Sequence, residues 1–72
     1  MLSINTYSNN ETSRFDFDKK PTCKDLKLKY CERFRNIYYN QIRLFDSHRV
    51  FLDENEILTD KDYIIYIMPN HL

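Results

Sequence analysis

The sequence predicts an α+β fold, one helix against one small sheet in the order ββαβ, loop, β. Three stretches carry that reading. Tyr63-Ile64-Ile65-Tyr66-Ile67-Met68 is apolar on both faces of a strand. Leu2 to Tyr7 and Arg14 to Asp18 alternate apolar and polar side chains. Between them and the last run, Cys23, Leu26, Tyr30 and Phe34 recur at helical spacing. The 72 residues make one domain, 1–72, whose core sits near the lower limit of self-sufficiency. Hydrophobic residues at 42% and aromatics at 15% exceed what a disordered segment carries, so a folded globule is expected.

Each element has its own signal. Leu2-Ser3-Ile4-Asn5-Thr6-Tyr7 reads as a half-buried strand, and Asn9-Asn10 supplies a turn pair tolerant of the left-handed region. Arg14-Phe15-Asp16-Phe17-Asp18 returns as the second strand of a hairpin, both Phe on one face. Thr22 is a suitable N-cap after Pro21, and Asp25 three residues on completes a variant capping box. The helix is expected to end near Asn36, a substitute for a terminating glycine. Gln41 to Phe45 reads as the third strand, Asp46-Ser47 as a turn, and Arg49-Val50-Phe51 as a short return strand. Leu52 to Leu58 is a polar loop with apolar pins at Leu52, Ile57 and Leu58, and residues 62–68 form the last strand before Pro69. The chain contains no Gly, Ala or Trp and much Asn, Lys, Ile and Tyr, a bias that an AT-rich genome explains.

Net charge is zero but unevenly placed. Residues 19–49 hold nine Lys or Arg against three acids, whereas residues 50–72 hold Lys61 against five acids. A basic middle can meet RNA or an acidic partner, or can simply be a solvated helix face. Cys23 and Cys31 fall on one helix about 12 Å apart, too far for a disulfide. Two reduced cysteines, no signal-peptide pattern and no run of about 18 apolar residues point to the cytoplasm or nucleus and away from the membrane.

Pro21-Thr22-Cys23-Lys24-Asp25-Leu26-Lys27 resembles the helix start of ubiquitin-like proteins. Gln41 to Val50 resembles their third strand and following turn, and Leu44-Phe45-Asp46 with Arg49-Val50 is similar to the small ubiquitin-related modifier. Leu52 and Ile57 match the residues that pin the family's long loop, and Asp62 to Met68 match its last strand. The resemblance covers most of the chain, although each motif alone has low specificity. It implies a ubiquitin-like β-grasp, a four- to five-stranded mixed sheet packed on one helix. The family's conjugating members end in Gly-Gly, whereas this sequence ends Pro69-Asn70-His71-Leu72, so the expectation is binding without covalent attachment. A precursor continuing to Gly-Gly would restore the modifier reading. Two further departures stand out. Arg43 falls where an inward apolar residue is usual, so either its stem snorkels or the strand register differs by one. Ser47 replaces the usual turn glycine and is expected to distort that hairpin.

By position, the resemblance places a binding surface on the open sheet face at Ile42, Leu44, Ile64 and Tyr66, with Met68 and His48 at its edge. Strand alternation agrees for the last strand: if Tyr63, Ile65 and Ile67 face the helix, Ile64, Tyr66 and Met68 face away. The expected function is a protein-interaction module docking into a larger assembly through that face. The alternative is a small structural subunit of a ribonucleoprotein, ribosome or spliceosome, placed on RNA by Lys24, Lys27, Lys29, Arg33 and Arg35. No glycine-rich phosphate loop, nucleophile elbow or His-Glu metal motif is present. His48, His71, Cys23 and Cys31 lack zinc-site spacing. Neither an enzyme, a cofactor, a metal nor a small-molecule substrate is expected.

Overall fold

The computed structural model describes residues 2–9 and 11–69. Asn10 of the expected turn pair and the Asn70-His71-Leu72 tail lie outside the described residues. Four strands form one sheet in the order β2-β1-β4-β3: β1 (Leu2–Ser8), β2 (Glu11–Phe17), β3 (Ile42–Asp46) and β4 (Asp62–Ile67). The β1–β2 and β3–β4 pairs are antiparallel and the central β1–β4 pair is parallel, so the sheet is mixed. Helix α1 (Cys23–Arg33) lies between β2 and β3 in the chain and carries it across the sheet from one edge strand to the other. Asn9 takes a φ of 53° in the β1–β2 turn, as its tolerance of the left-handed region predicts.

The helix begins as expected and stops earlier. Thr22 caps it through its hydroxyl, which accepts from Asp25 N at 3.3 Å, while the Asp25 carboxylate accepts from Thr22 N at 2.9 Å. The next orphan donors find carbonyls in the long loop: Cys23 N to Glu56 O at 2.9 Å and Lys24 N to Glu54 O at 3.1 Å. Every free N–H so occupied satisfies a group that burial would otherwise penalise. The last helical residue is Arg33, with Phe34 as C-cap, rather than a residue near Asn36.

Alternate residues of each strand face the helix and form the core. Ile4, Phe15, Ile42, Leu44, Tyr63 and Ile65 meet Cys23, Leu26 and Tyr30 of α1, with Leu52 and Leu58 closing the loop side. Tyr30 stacks obliquely on Phe15 and Phe34, ring centroids 5.7 and 4.6 Å away. Ile57, expected as a pin, is instead 66% exposed. Its backbone does the pinning, through a bridge to Thr22 and the neighbouring Leu58 N to Pro21 O bond at 2.8 Å. The expected return strand at 49–51 reduces to a single bridge between Phe45 and Phe51. A one-turn 3-10 helix at Tyr39–Gln41, not foreseen in the sequence, leads into β3.

Candidate functional site

Register in β3 decides what the open face contains. Ile42 pairs with Ile67 and Leu44 with Ile65, so all four belong to the helix-facing side, and Ile42 and Leu44 are 0% exposed. Their expected place on the binding face is therefore corrected. Arg43 and Phe45 occupy the open face instead, opposite Tyr66 and Ile64. Of the two explanations for Arg43, the one-residue register difference holds. Its guanidinium points along the strand end and donates to the carbonyls of Asn40 and Ile42 at 2.8 and 3.2 Å.

The face that results is apolar on its β3–β4 half. Phe45, Arg49, Ile64 and Tyr66 line a shallow depression of about 270 Å³. Tyr66 is 51% exposed, Met68 is exposed beyond it, and Tyr7 on β1 sits beside Ile64. Phe51 extends the patch by an edge-on contact with Phe45, centroids 5.7 Å apart. Four of the six residues expected for this surface thus reach solvent: Ile64 is half-buried, and Tyr66, Met68 and His48 are exposed. Sequence reasoning missed Phe45, Arg49 and Phe51. The signal for Phe45 was available, because Arg43 in the same strand shares its side.

The turn that delivers Arg49 and Phe51 is built by Asp46. Its carboxylate accepts from His48 N at 2.8 Å and Val50 N at 3.0 Å, and its carbonyl accepts from Arg49 N at 2.9 Å. The left-handed residue is Arg49, with φ 66°, not Ser47. The missing glycine is thus offset by an aspartate that satisfies the turn's backbone, with the unusual backbone conformation moved two residues along.

The basic set of α1 is not one free surface. Lys27 is only 5% exposed, its ammonium 5.5 Å from the centroid of the Tyr39 ring. Tyr39 in turn donates to Glu54 at 2.6 Å, and burial together with that carboxylate holds its phenol well above the usual range. A cation so enclosed cannot reach a phosphate, which corrects its place in the RNA-binding set. Lys29 and Arg33 are exposed but spend donors on β2 carbonyls at 2.9 and 2.8 Å. Lys24 and Arg35 remain as separate solvated charges. Both cysteines are free, and burial pushes both thiols up, Cys23 more deeply enclosed than Cys31.

No protein-family model matches the sequence, and no curated protein matches it significantly. Solved structures do match. The N-terminal ubiquitin-like domain in the 4931431F19Rik protein has a TM-score of 0.78 at 9% identity, covering 99% of this chain and 78% of that one. The structure of ATBAG1 in complex with HSP70 gives a TM-score of 0.80 at 11% identity, covering 96% of this chain and 41% of that one. Identities this low speak for the fold alone. The chain has the ubiquitin-like β-grasp fold, an α+β mixed sheet closed on one side by a single helix.

Proposed function

We propose that the chain is a protein-interaction module that docks non-covalently into a larger assembly through the β3–β4 half of its open sheet face. The observation that carries this reading is the apolar depression formed by Phe45, Ile64 and Tyr66 with Arg49 at its rim. Apolar area left in water is free energy available to a partner, at about 25 cal/mol per Å² removed from water. Tyr and Phe suit such a patch because they bring large area with few rotatable bonds. That a solved neighbour of this fold is seen in complex with HSP70 supports protein as the partner class. Among the described residues no group of three or more His, Cys, Asp or Glu could hold a metal. No described helix is long and apolar enough to cross a membrane. A cytoplasmic or nuclear setting is part of the proposal.

Affinity capture with the wild-type chain and with Phe45→Asp and Tyr66→Asp variants tests it. Both variants should fold and should lose the captured protein, by about 100-fold in affinity if the patch holds a hot spot worth roughly 3 kcal/mol. Undiminished capture by both folded variants would sink the reading. So would co-sedimentation with ribonucleoprotein particles that nuclease treatment abolishes.

A further inference from the structure

β2 lies at one edge of the sheet. An edge strand turns alternate N–H and C=O groups outward, where another chain can pair with them. Two cations of α1 reach that strand. Lys29 Nζ donates to the carbonyl of Asp16 at 2.9 Å and sits 4.6 Å from the centroid of Phe17. One turn on, Arg33 Nη1 donates to the carbonyl of Arg14 at 2.8 Å, its guanidinium 4.0 Å from the centroid of Phe15. The periods agree: four helical residues advance about 6 Å and two strand residues about 6.8 Å, so successive turns of α1 meet successive carbonyls on one side of β2. Each contact combines a charge-assisted hydrogen bond with a cation over a ring.

We propose that Lys29 and Arg33 form a latch that withholds the β2 edge from strand pairing, and that the occupant it excludes is a second copy of this chain. Residues 14 and 16, whose carbonyls the latch occupies, also carry opposite charges on the open face, paired at 3.3 Å. An antiparallel pairing of two β2 edges about a two-fold axis at Phe15 sets Arg14 of each copy against Asp16 of the other. Opposite charges directly across a ladder favour that register, and an isologous two-fold contact closes without forming a fibre. The latch removes the acceptors this pairing needs, so the wild-type chain is a monomer at this edge.

The test compares the wild-type chain with Lys29→Met/Arg33→Met, which keeps an unbranched apolar stem over each ring and removes the donors and charges. Light scattering after size exclusion and sedimentation equilibrium should show a wild-type monomer and a variant dimer at least about tenfold tighter than any wild-type association. Hydrogen exchange should slow at the Arg14 and Asp16 amides of the variant as its concentration rises. Adding Arg14→Glu, which sets acids against each other across the edge, should return the variant to monomer. A folded double variant that stays monomeric at about 1 mM overturns the proposal. So does a dimer indifferent to Arg14→Glu, or a wild-type dimer with those two amides protected. If the double variant does not fold, Lys29→Met alone carries the same test, with weaker dimerisation expected and a monomer at the same concentration counting against the latch.

Discussion

The open face of the sheet is two surfaces, and they solve exposure differently. On β1 and β2 the polar side chains face one another. Ser3 donates to Asp16 at 2.7 Å, Arg14 donates to Ser3 at 2.9 Å, and Asn5 donates to Asp62 on β4 at 3.2 Å. On β3 and β4 the same strand geometry presents Phe45, Ile64 and Tyr66, with no polar network to occupy them. The polar half is complete as it stands, and a partner covering it would have to break hydrogen bonds that return about what they cost. The apolar half gains from being covered. On the proposed reading docking therefore falls to β3–β4, and the division runs between neighbouring strands of one sheet.

The sharpest way to break that division is to truncate two adjacent residues of β3. Leu44 points into the core and Phe45 away from it. Leu44→Ala should cost about 2–5 kcal/mol, a large share of the roughly 4–11 kcal/mol typical for a chain of this size. Phe45→Ala loses the edge contact with Phe51 and should cost only about 1 kcal/mol. Urea denaturation of both variants measures the difference. Equal losses would mean that β3 does not hold the register described, and the composition of the open face would have to be redrawn.

That register is also where the sequence stopped being legible. The helix start was readable because the capping box is local: Thr22 and Asp25 answer to each other across three residues. The strand alternation of β1 and β2 was readable because period two is written in consecutive residues. β3 reads Ile42-Arg43-Leu44-Phe45, with apolar residues on both faces, so alternation alone does not choose between them. What chooses is pairing with β4, a tertiary fact, which sets Leu44 beside Ile65 and Phe45 beside Ile64. Arg43 was the one residue able to break the tie, since an arginine stem costs least on the exposed side. Ile57 escaped for a related reason. Its backbone is fixed by the Thr22 bridge, so its side chain is free of the duty that an apolar residue in a loop suggests.

A smaller effect tests how the apolar half is assembled. Arg49 is held at φ 66°, a conformation that costs a β-carbon-bearing residue about 1–2 kcal/mol. Arg49→Gly relieves that cost but frees the unfolded chain, so a net gain of about 0.5 kcal/mol, or some 2–4 °C in Tm, is expected. Ser47→Gly, placed where the family resemblance puts its turn glycine, should stabilise nothing, because no positive φ falls there. Should Ser47→Gly be the stabilising change, the turn is wound differently and Arg49 does not line the depression. If Arg49→Gly also weakens capture of the partner while raising Tm, the strained residue is retained for binding.

The polar half makes the smallest prediction, one of pH. The hydroxyl of Ser3, and after it the Arg14 guanidinium, hold the Asp16 carboxyl below the usual carboxylate range. A carboxylate lowered on folding contributes stability that is present above its unfolded value and is lost as pH falls through the folded one. Asp16 is exposed, so water screens most of that contribution and its signature is better sought in titration than in Tm. Carboxyl chemical shifts followed by NMR should show Asp16 titrating below the usual carboxylate range. Ser3→Ala and Arg14→Ala should each move it upward, because the hydroxyl and the guanidinium both hold it down. Neither change should alter capture of a partner by the β3–β4 half. If Arg14→Ala or Ser3→Ala did reduce capture, the partner would extend over both halves, and the boundary between a self-satisfied surface and a docking surface would have to be moved.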